Sequence, residues 1–136
     1  MTIRKVNLII IHCSASDHPA HDDISVIDQW HRARGWSGCG YHYFITKSGE
    51  VQVGRKENQI GAHAKGYNKN SIGICFSGEH DFTNDQFYSA KRLIIGILNL
   101  YGLEPIDIIA HNQVNKNKTC PNFDISKITK GLYLRH

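Results

Sequence analysis

Nowhere in its 136 residues does the sequence carry a long apolar run, a tract of low complexity, an internal repeat or a linker-like stretch. Without repeats or linkers, one compact unit spanning 1–136 is the expected organisation. The length suits a single domain that buries about two-thirds of the surface its unfolded chain exposes. The first apolar segment, 6–11, is six residues long and includes Asn7, which is short for the core of an export signal. Cleavage there would also remove His12. The segment is read as the first core strand of a protein made in the cytoplasm, with no export signal and no membrane partner expected. Cysteine is sparse: Cys13, Cys39, Cys75 and Cys120 form neither a C-x-x-C pair nor the dense framework of a stapled secreted domain. Charge is not concentrated either. The net charge of +4 is spread over scattered positions such as Arg32, Lys65, Lys116 and Lys127. With no nucleic-acid module signature, nucleic acid is not expected as a partner.

What is present reads as alternating strands and helices. Residues 6–13 form an apolar strand, and a polar, His-rich loop follows over 14–23. A short helix is expected over 25–34, with Asp23 or Ser25 as N-cap and Val26, Ile27 and Trp30 on one face. Aromatic and β-branched residues at 41–46 predict a strand, joined through Lys47-Ser48-Gly49-Glu50 to a hairpin partner at 51–54. A Gly-rich loop, 61–70, leads to a strand at 71–76. Thr83-Asn84-Asp85-Gln86 is a capping-box pattern that opens a helix to Tyr101, with Gly102 beyond its end and Pro105 blocking continuation. The last strand is expected at 106–110, and Asp124 caps a final short helix. The expected fold class is α/β: a single domain with a central mixed β-sheet of about five strands flanked by helices.

Two histidines end apolar strands in this scheme: His12 after the first and His111 after the last. If those strands are central and parallel, both side chains emerge at one edge of the sheet, where open α/β sheets commonly hold ligands. Cys120 can return there on the loop that follows His111. Two imidazoles and a thiolate are zinc ligand types, and three protein ligands leave a fourth position open, as in catalytic sites. A histidine at a strand end is more often an ordinary hydrogen-bonding residue, so on spacing alone the two readings weigh about equally. Cys13 is the poorer ligand candidate, because neighbouring strand residues face opposite ways.

Several motifs, taken together and in order, resemble a known family. They are Ile11-His12-Cys13-Ser14-Ala15, Gln29-Trp30-His31, Gly40-Tyr41-His42-Tyr43-Phe44-Ile45, Gly61-Ala62-His63-Ala64-Lys65-Gly66-Tyr67-Asn68, Asn70-Ser71-Ile72-Gly73-Ile74 and Lys118-Thr119-Cys120-Pro121-Asn122-Phe123-Asp124. The pattern is similar to the zinc-dependent N-acetylmuramoyl-L-alanine amidases of the bacteriophage lysozyme type, which share a fold with peptidoglycan recognition proteins. That resemblance implies a Zn²⁺ site made by His12, His111 and Cys120. It implies Tyr41 and Lys118 as catalytic residues, Tyr41 acting on the attacking water and Lys118 on the developing oxyanion. His63 and Asn68 are expected in substrate binding, with Trp36, Arg55 and Lys65 as further groove residues; His18, His21 and His31 are expected at the surface. Tyr41, Tyr43 and Ile45 are expected to share a face of their strand.

The implied activity is hydrolysis of the amide joining N-acetylmuramic acid to the L-alanine of peptidoglycan. The expected setting is a monomeric phage or prophage endolysin that reaches the cell wall after release. The rival readings are a recognition module that binds peptidoglycan without cutting it and a regulatory zinc domain that binds a protein partner. The presence of both Tyr41 and Cys120 favours the enzyme.

Overall fold

Strand alternation explains how the sheet is sided. The computed structural model describes residues 4–132. Five strands, β1 (Leu8–Cys13), β2 (Tyr43–Ile45), β3 (Val51–Val53), β4 (Ser71–Phe76) and β5 (Ile108–Ala110), form one sheet in the order β3-β2-β4-β1-β5. β2, β4, β1 and β5 run parallel, and β3 pairs antiparallel with β2. The mixed α/β sheet is therefore as expected, except that β5 lies at an edge rather than in the centre.

On one face of the sheet Ile9, Ile11, Ile45, Ile72, Ile74 and Phe76 pack with Ala90, Ile94, Ile97 and Leu98 of α2 (Asn84–Tyr101). Truncating one of these buried aliphatic side chains to alanine costs about 2–5 kcal/mol. The opposite face carries Phe44 and Cys75, covered by Ile27 of α1 (Ile24–Ala33) and by Cys39. Along β4, alternation then points Ser71, Gly73 and Cys75 to the α1 side. These are small residues, and they leave room there for imidazole rings.

Helix ends follow the local chemistry. The Thr83 hydroxyl accepts from Gln86 N–H and the Gln86 amide oxygen accepts from Thr83 N–H, a reciprocal capping box. The Gln86 amide nitrogen also donates to the Ile45 and Ser77 carbonyls, tying the helix start to the sheet. Gly102, at φ 67°, ends α2 in a left-handed conformation that glycine adopts without penalty. α1 is capped by the Asp23 side chain at Ser25 N–H. The last short helix, α4 (Ser126–Thr129), has Ile125 rather than Asp124 as its N-cap, and the Asp124 carboxylate accepts from Ser126 N–H from one residue further out.

Three expectations need correction. β5 is shorter than 106–110, because Pro105 opens a tight 3-10 turn over Pro105–Asp107 in which Asp107 accepts from Glu104 N–H at 2.9 Å. β2 begins at Tyr43, with a bend at His42, so alternation does not extend back to Tyr41. Tyr43 and Ile45 pack on the α2 face whereas Tyr41 packs with Phe44 and Cys75 on the other. Finally, His111 does not start a loop. It opens a single helical turn, α3 (His111–Val114), in which the Gln113 side chain accepts from Ala110 N–H.

Candidate active site

Parallel pairing brings the two strand-end histidines together. Ile11 of β1 stands opposite Ala110 of β5, so His12 and His111 leave the sheet side by side. Both are buried, and their Nδ1 atoms are 3.1 Å apart. Burial, followed by its imidazole neighbours His63 and His111, holds His12 well below the ordinary imidazole range. His12 is thus a neutral ligand-type nitrogen at pH 7.

His63 completes an imidazole row. Its Nδ1 lies 2.8 Å from His12 Nε2, its Nε2 lies 3.1 Å from the Ser71 hydroxyl, and that hydroxyl donates to the Tyr67 carbonyl at 2.7 Å. Burial pushes His63 down to about 3, with His42 as the next cause. Two glycines permit this packing: a Cβ on Gly73 would lie 2.6 Å from His63 Cγ, and one on Gly61 would lie 2.6 Å from His63 Cδ2. A glycine inside a strand often marks such a close approach. Asn68 fixes the loop from behind, its side-chain oxygen accepting from the N–H groups of His63 and Ala64 at 2.8 and 2.9 Å. Arg4 donates to the Asn68, Lys69 and Ser71 carbonyls and so clamps the same segment to the sheet.

Cys120 returns to this edge on a loop closed by Asn112 N–H donating to the Cys120 carbonyl at 3.0 Å. Its Sγ lies 3.2 Å from Cys13 Sγ and 3.5 Å from the Cys13 carbonyl oxygen. The hydrogen bond with Cys13, then that with His111, lowers the Cys120 thiol, while the same bond and burial raise Cys13. The direction favours Cys120 over Cys13 as the more acidic thiol of the pair. The expectation that Cys13 points away from the site needs correction, since it lines the same cavity as Cys120.

Among the described residues, no group of three or more His, Cys, Asp or Glu side chains is drawn together tightly enough to hold a metal ion as it stands. The donor set nonetheless fits zinc chemically. Zn–N bonds of about 2.0–2.1 Å at a tetrahedral angle place two ligand nitrogens about 3.3 Å apart. The His12–His111 pair, at 3.1 Å, is close to that spacing, and the Cys120 sulfur lies beside His111.

A cavity of about 490 Å³ opens onto this cluster, lined by Tyr41, His63, Asn68, His111, Lys118 and Cys120. The Tyr41 ring stands 4.9 Å from the His12 ring, and burial, then nearby thiols led by Cys75, raises its hydroxyl well above the usual phenol range. Lys118 is exposed at the rim, on the tight turn closed by its own N–H to the Asn115 carbonyl. Trp36 and Lys65 line the same cavity. Arg55 does not: it lines a separate cavity and donates to the Cys39 and Ile60 carbonyls. His31 is not a surface residue. It is 5% exposed, its Nδ1 accepts from Gly40 N–H at 2.8 Å, and its ring packs on Trp36 and Tyr41. Its spacing four residues after Ile27, on the buried side of α1, is the signal that could have found it.

Residues 2–123 match the family of N-acetylmuramoyl-L-alanine amidases. The chain belongs to that family. The endolysin of Escherichia phage T7 is 39% identical over 127 residues, covering 88% of this chain and 82% of that protein. The fold of the N-acetylmuramoyl-L-alanine amidase LysC from Clostridium intestinale superposes with a TM-score of 0.86 at 33% identity, covering 97% of this chain and 88% of the other. A mutant of Drosophila peptidoglycan recognition protein LB, solved in complex with tracheal cytotoxin, superposes at 0.80 with 26% identity, covering 98% and 85%. The amidase is thus an enzyme of the endolysin group, and its fold is that of the amidase and peptidoglycan recognition protein superfamily. No described helix is long and apolar enough to cross a membrane.

Proposed function

We propose that the protein is a zinc-dependent endolysin in which His12, His111 and Cys120 hold the metal while Tyr41 and Lys118 serve the cleavage of the N-acetylmuramoyl–L-alanine amide. The observation that carries this reading is the pair of Nδ1 atoms of His12 and His111, 3.1 Å apart, beside a cavity lined by His111, Cys120, Tyr41 and Lys118. Zinc, when bound, supplies Lewis-acid polarisation and makes hydroxide available near neutral pH.

The chain's own residues do the rest. The Lys118 ammonium, on the cavity wall, donates to the substrate carbonyl oxygen as that oxygen gains charge, the kind of contact worth most in a water-poor site. The Tyr41 hydroxyl, protonated at neutral pH, orients the attacking water and gives its own proton to the leaving alanine nitrogen while the water's proton replaces it. Trp36 and Lys65 supply an apolar wall and a cation along the groove, suited to a sugar face and a stem-peptide carboxylate. Synthesis in the cytoplasm with action at the cell wall after release fits the relationship to phage endolysins.

Purified protein incubated with peptidoglycan, before and after verified zinc removal, tests the reading. Release of muropeptides with free L-alanine amino ends, lost on chelation and restored by zinc, is expected. Full activity in metal-free protein would contradict the metal assignment. Peptidoglycan binding without any release would favour a recognition module instead.

A further inference from the structure

We propose that His63 is a positioning residue for His12 rather than a substrate contact. It accepts the Nε2 proton of His12 and so keeps the His12 Nδ1 lone pair aimed at His111. This rests on the reading of His12 as a zinc ligand and adds the part that orients it.

The direction of every proton in the chain follows from its far end. The Tyr67 carbonyl can only accept, so the Ser71 hydroxyl proton points to it at 2.7 Å. The Ser71 oxygen must then accept from His63 Nε2–H, at 3.1 Å. A neutral His63 with its proton on Nε2 has a bare Nδ1, which can only accept. Its neighbour at 2.8 Å, His12 Nε2, must therefore be the donor. A neutral His12 with its proton on Nε2 presents a bare Nδ1, and that is the atom 3.1 Å from His111 Nδ1. The opposite assignment fails at Ser71, whose single proton would have to serve both Tyr67 and His63.

The packing around His63 serves this arrangement and leaves it little freedom to reach substrate. The residue is 9% exposed, and Gly61 and Gly73 are glycines where any Cβ would strike its ring. Ser71, Gly73 and the ring share one face of β4, while Asn68 holds the backbone of His63 from the loop side. Metal-bound histidines generally give their second N–H to a carboxylate, carbonyl or water. Here a second imidazole takes that place and passes the anchoring on to a backbone carbonyl through a serine.

The test uses three variants of the full chain, checked for folding by circular dichroism. His63→Phe keeps a ring but removes the acceptor, and His63→Asn returns an oxygen near the Nδ1 position. Ser71→Ala leaves His63 in place and removes what orients it. Zinc affinity is read by competition with a chromogenic chelator, and KM and kcat are read at saturating zinc. His63→Phe is expected to weaken zinc binding about 10–100-fold, with His63→Asn recovering most of the loss and Ser71→Ala showing a smaller loss of the same kind. KM for muropeptide stays at the wild-type value in all three. Wild-type zinc affinity in His63→Phe and Ser71→Ala would overturn the proposal. A raised KM with unchanged zinc affinity would also overturn it, returning His63 to the substrate. Failure of the wild-type chain itself to take up one zinc would instead remove the metal reading on which the proposal stands.

Discussion

His12, buried behind the cavity, and Cys120, on its wall, reach the same cluster from unlike backbones. His12 lies one residue before the end of β1, a strand paired on both sides, and its ring is backed by His63, Ser71 and the Tyr67 carbonyl. Cys120 sits on an irregular loop whose rim residues Lys116, Asn117, Lys118 and Thr119 are exposed, and its thiol engages Cys13. One half of the site is set by the fold, and rotation there would break buried hydrogen bonds. The other half is held by a few turn hydrogen bonds and by the contacts of the Cys120 sulfur with Cys13 and His111. Such a division would suit the proposed metal site, open on one side: the imidazoles would define the position, and the loop would deliver the Cys120 sulfur and the Lys118 cation. Ligand-binding loops are commonly drawn from the less stable parts of a fold.

The comparison can be broken most forcefully from the loop side. Cys120→Ser is expected to reduce zinc affinity by more than the roughly 10–100-fold typical of outer partners, with activity lost in parallel. The unfolding midpoint of the metal-free protein should hardly move. A large fall in that midpoint would mean the loop is as structural as the strand. Lys118→Ala should lower kcat about 10²–10³-fold, the range for removing one oxyanion donor, while zinc content stays at wild type. Its stability should remain within about 0.5 kcal/mol, as for other exposed changes. Intact turnover in this variant would remove Lys118 from the chemistry.

The rigid half has a pH signature of its own. His42 is fully buried, its Nδ1 accepts from Gly73 N–H at 3.1 Å, and burial lowers it to about 4 from an ordinary 6.5. Between those values the unfolded chain binds more protons than the folded one, so stability rises with pH there. The contribution is complete above about 6.5 and is lost as pH falls through about 4. At 1.36 kcal/mol per unit the contribution is up to about 3 kcal/mol. His31, lowered to about 4 by burial and then by Arg34, adds in the same direction. Urea midpoints of the metal-free protein at pH 7, 5 and 4 should fall accordingly. His42→Asn, which keeps an acceptor for Gly73, should flatten the slope; an unchanged slope would contradict this origin.

Much of the frame was legible because it rests on local patterns. Thr83 and Gln86 announce the start of α2 and Gly102 its end, and apolar runs mark β1 and β4. The adjacency of His12 and His111 followed from strand ends and parallel pairing, although β5 proved to be an edge strand. What remained hidden depends on contacts distant in sequence. The 61–70 loop has no periodicity, so nothing local brings His63 to His12. The Ser71-Ile72-Gly73 sequence carried the available hint, since two small residues on one face of a buried strand leave space for something. The Cys13–Cys120 contact was missed for a related reason: strand alternation governs Cys13 but not a loop that folds back over the strand's end. Tyr41 was misassigned to the face of Tyr43 because the bend at His42 leaves no mark in residue type.

Anomalous diffraction at the zinc absorption edge, from crystals of the zinc-loaded protein, tests the central claim most directly. The account predicts a single peak bonded by His12 Nδ1, His111 Nδ1 and Cys120 Sγ, with His12 Nε2 still on His63 and the open side facing Tyr41 and Lys118. A peak bonded through His63, or lying away from the His12–His111 pair, would contradict it.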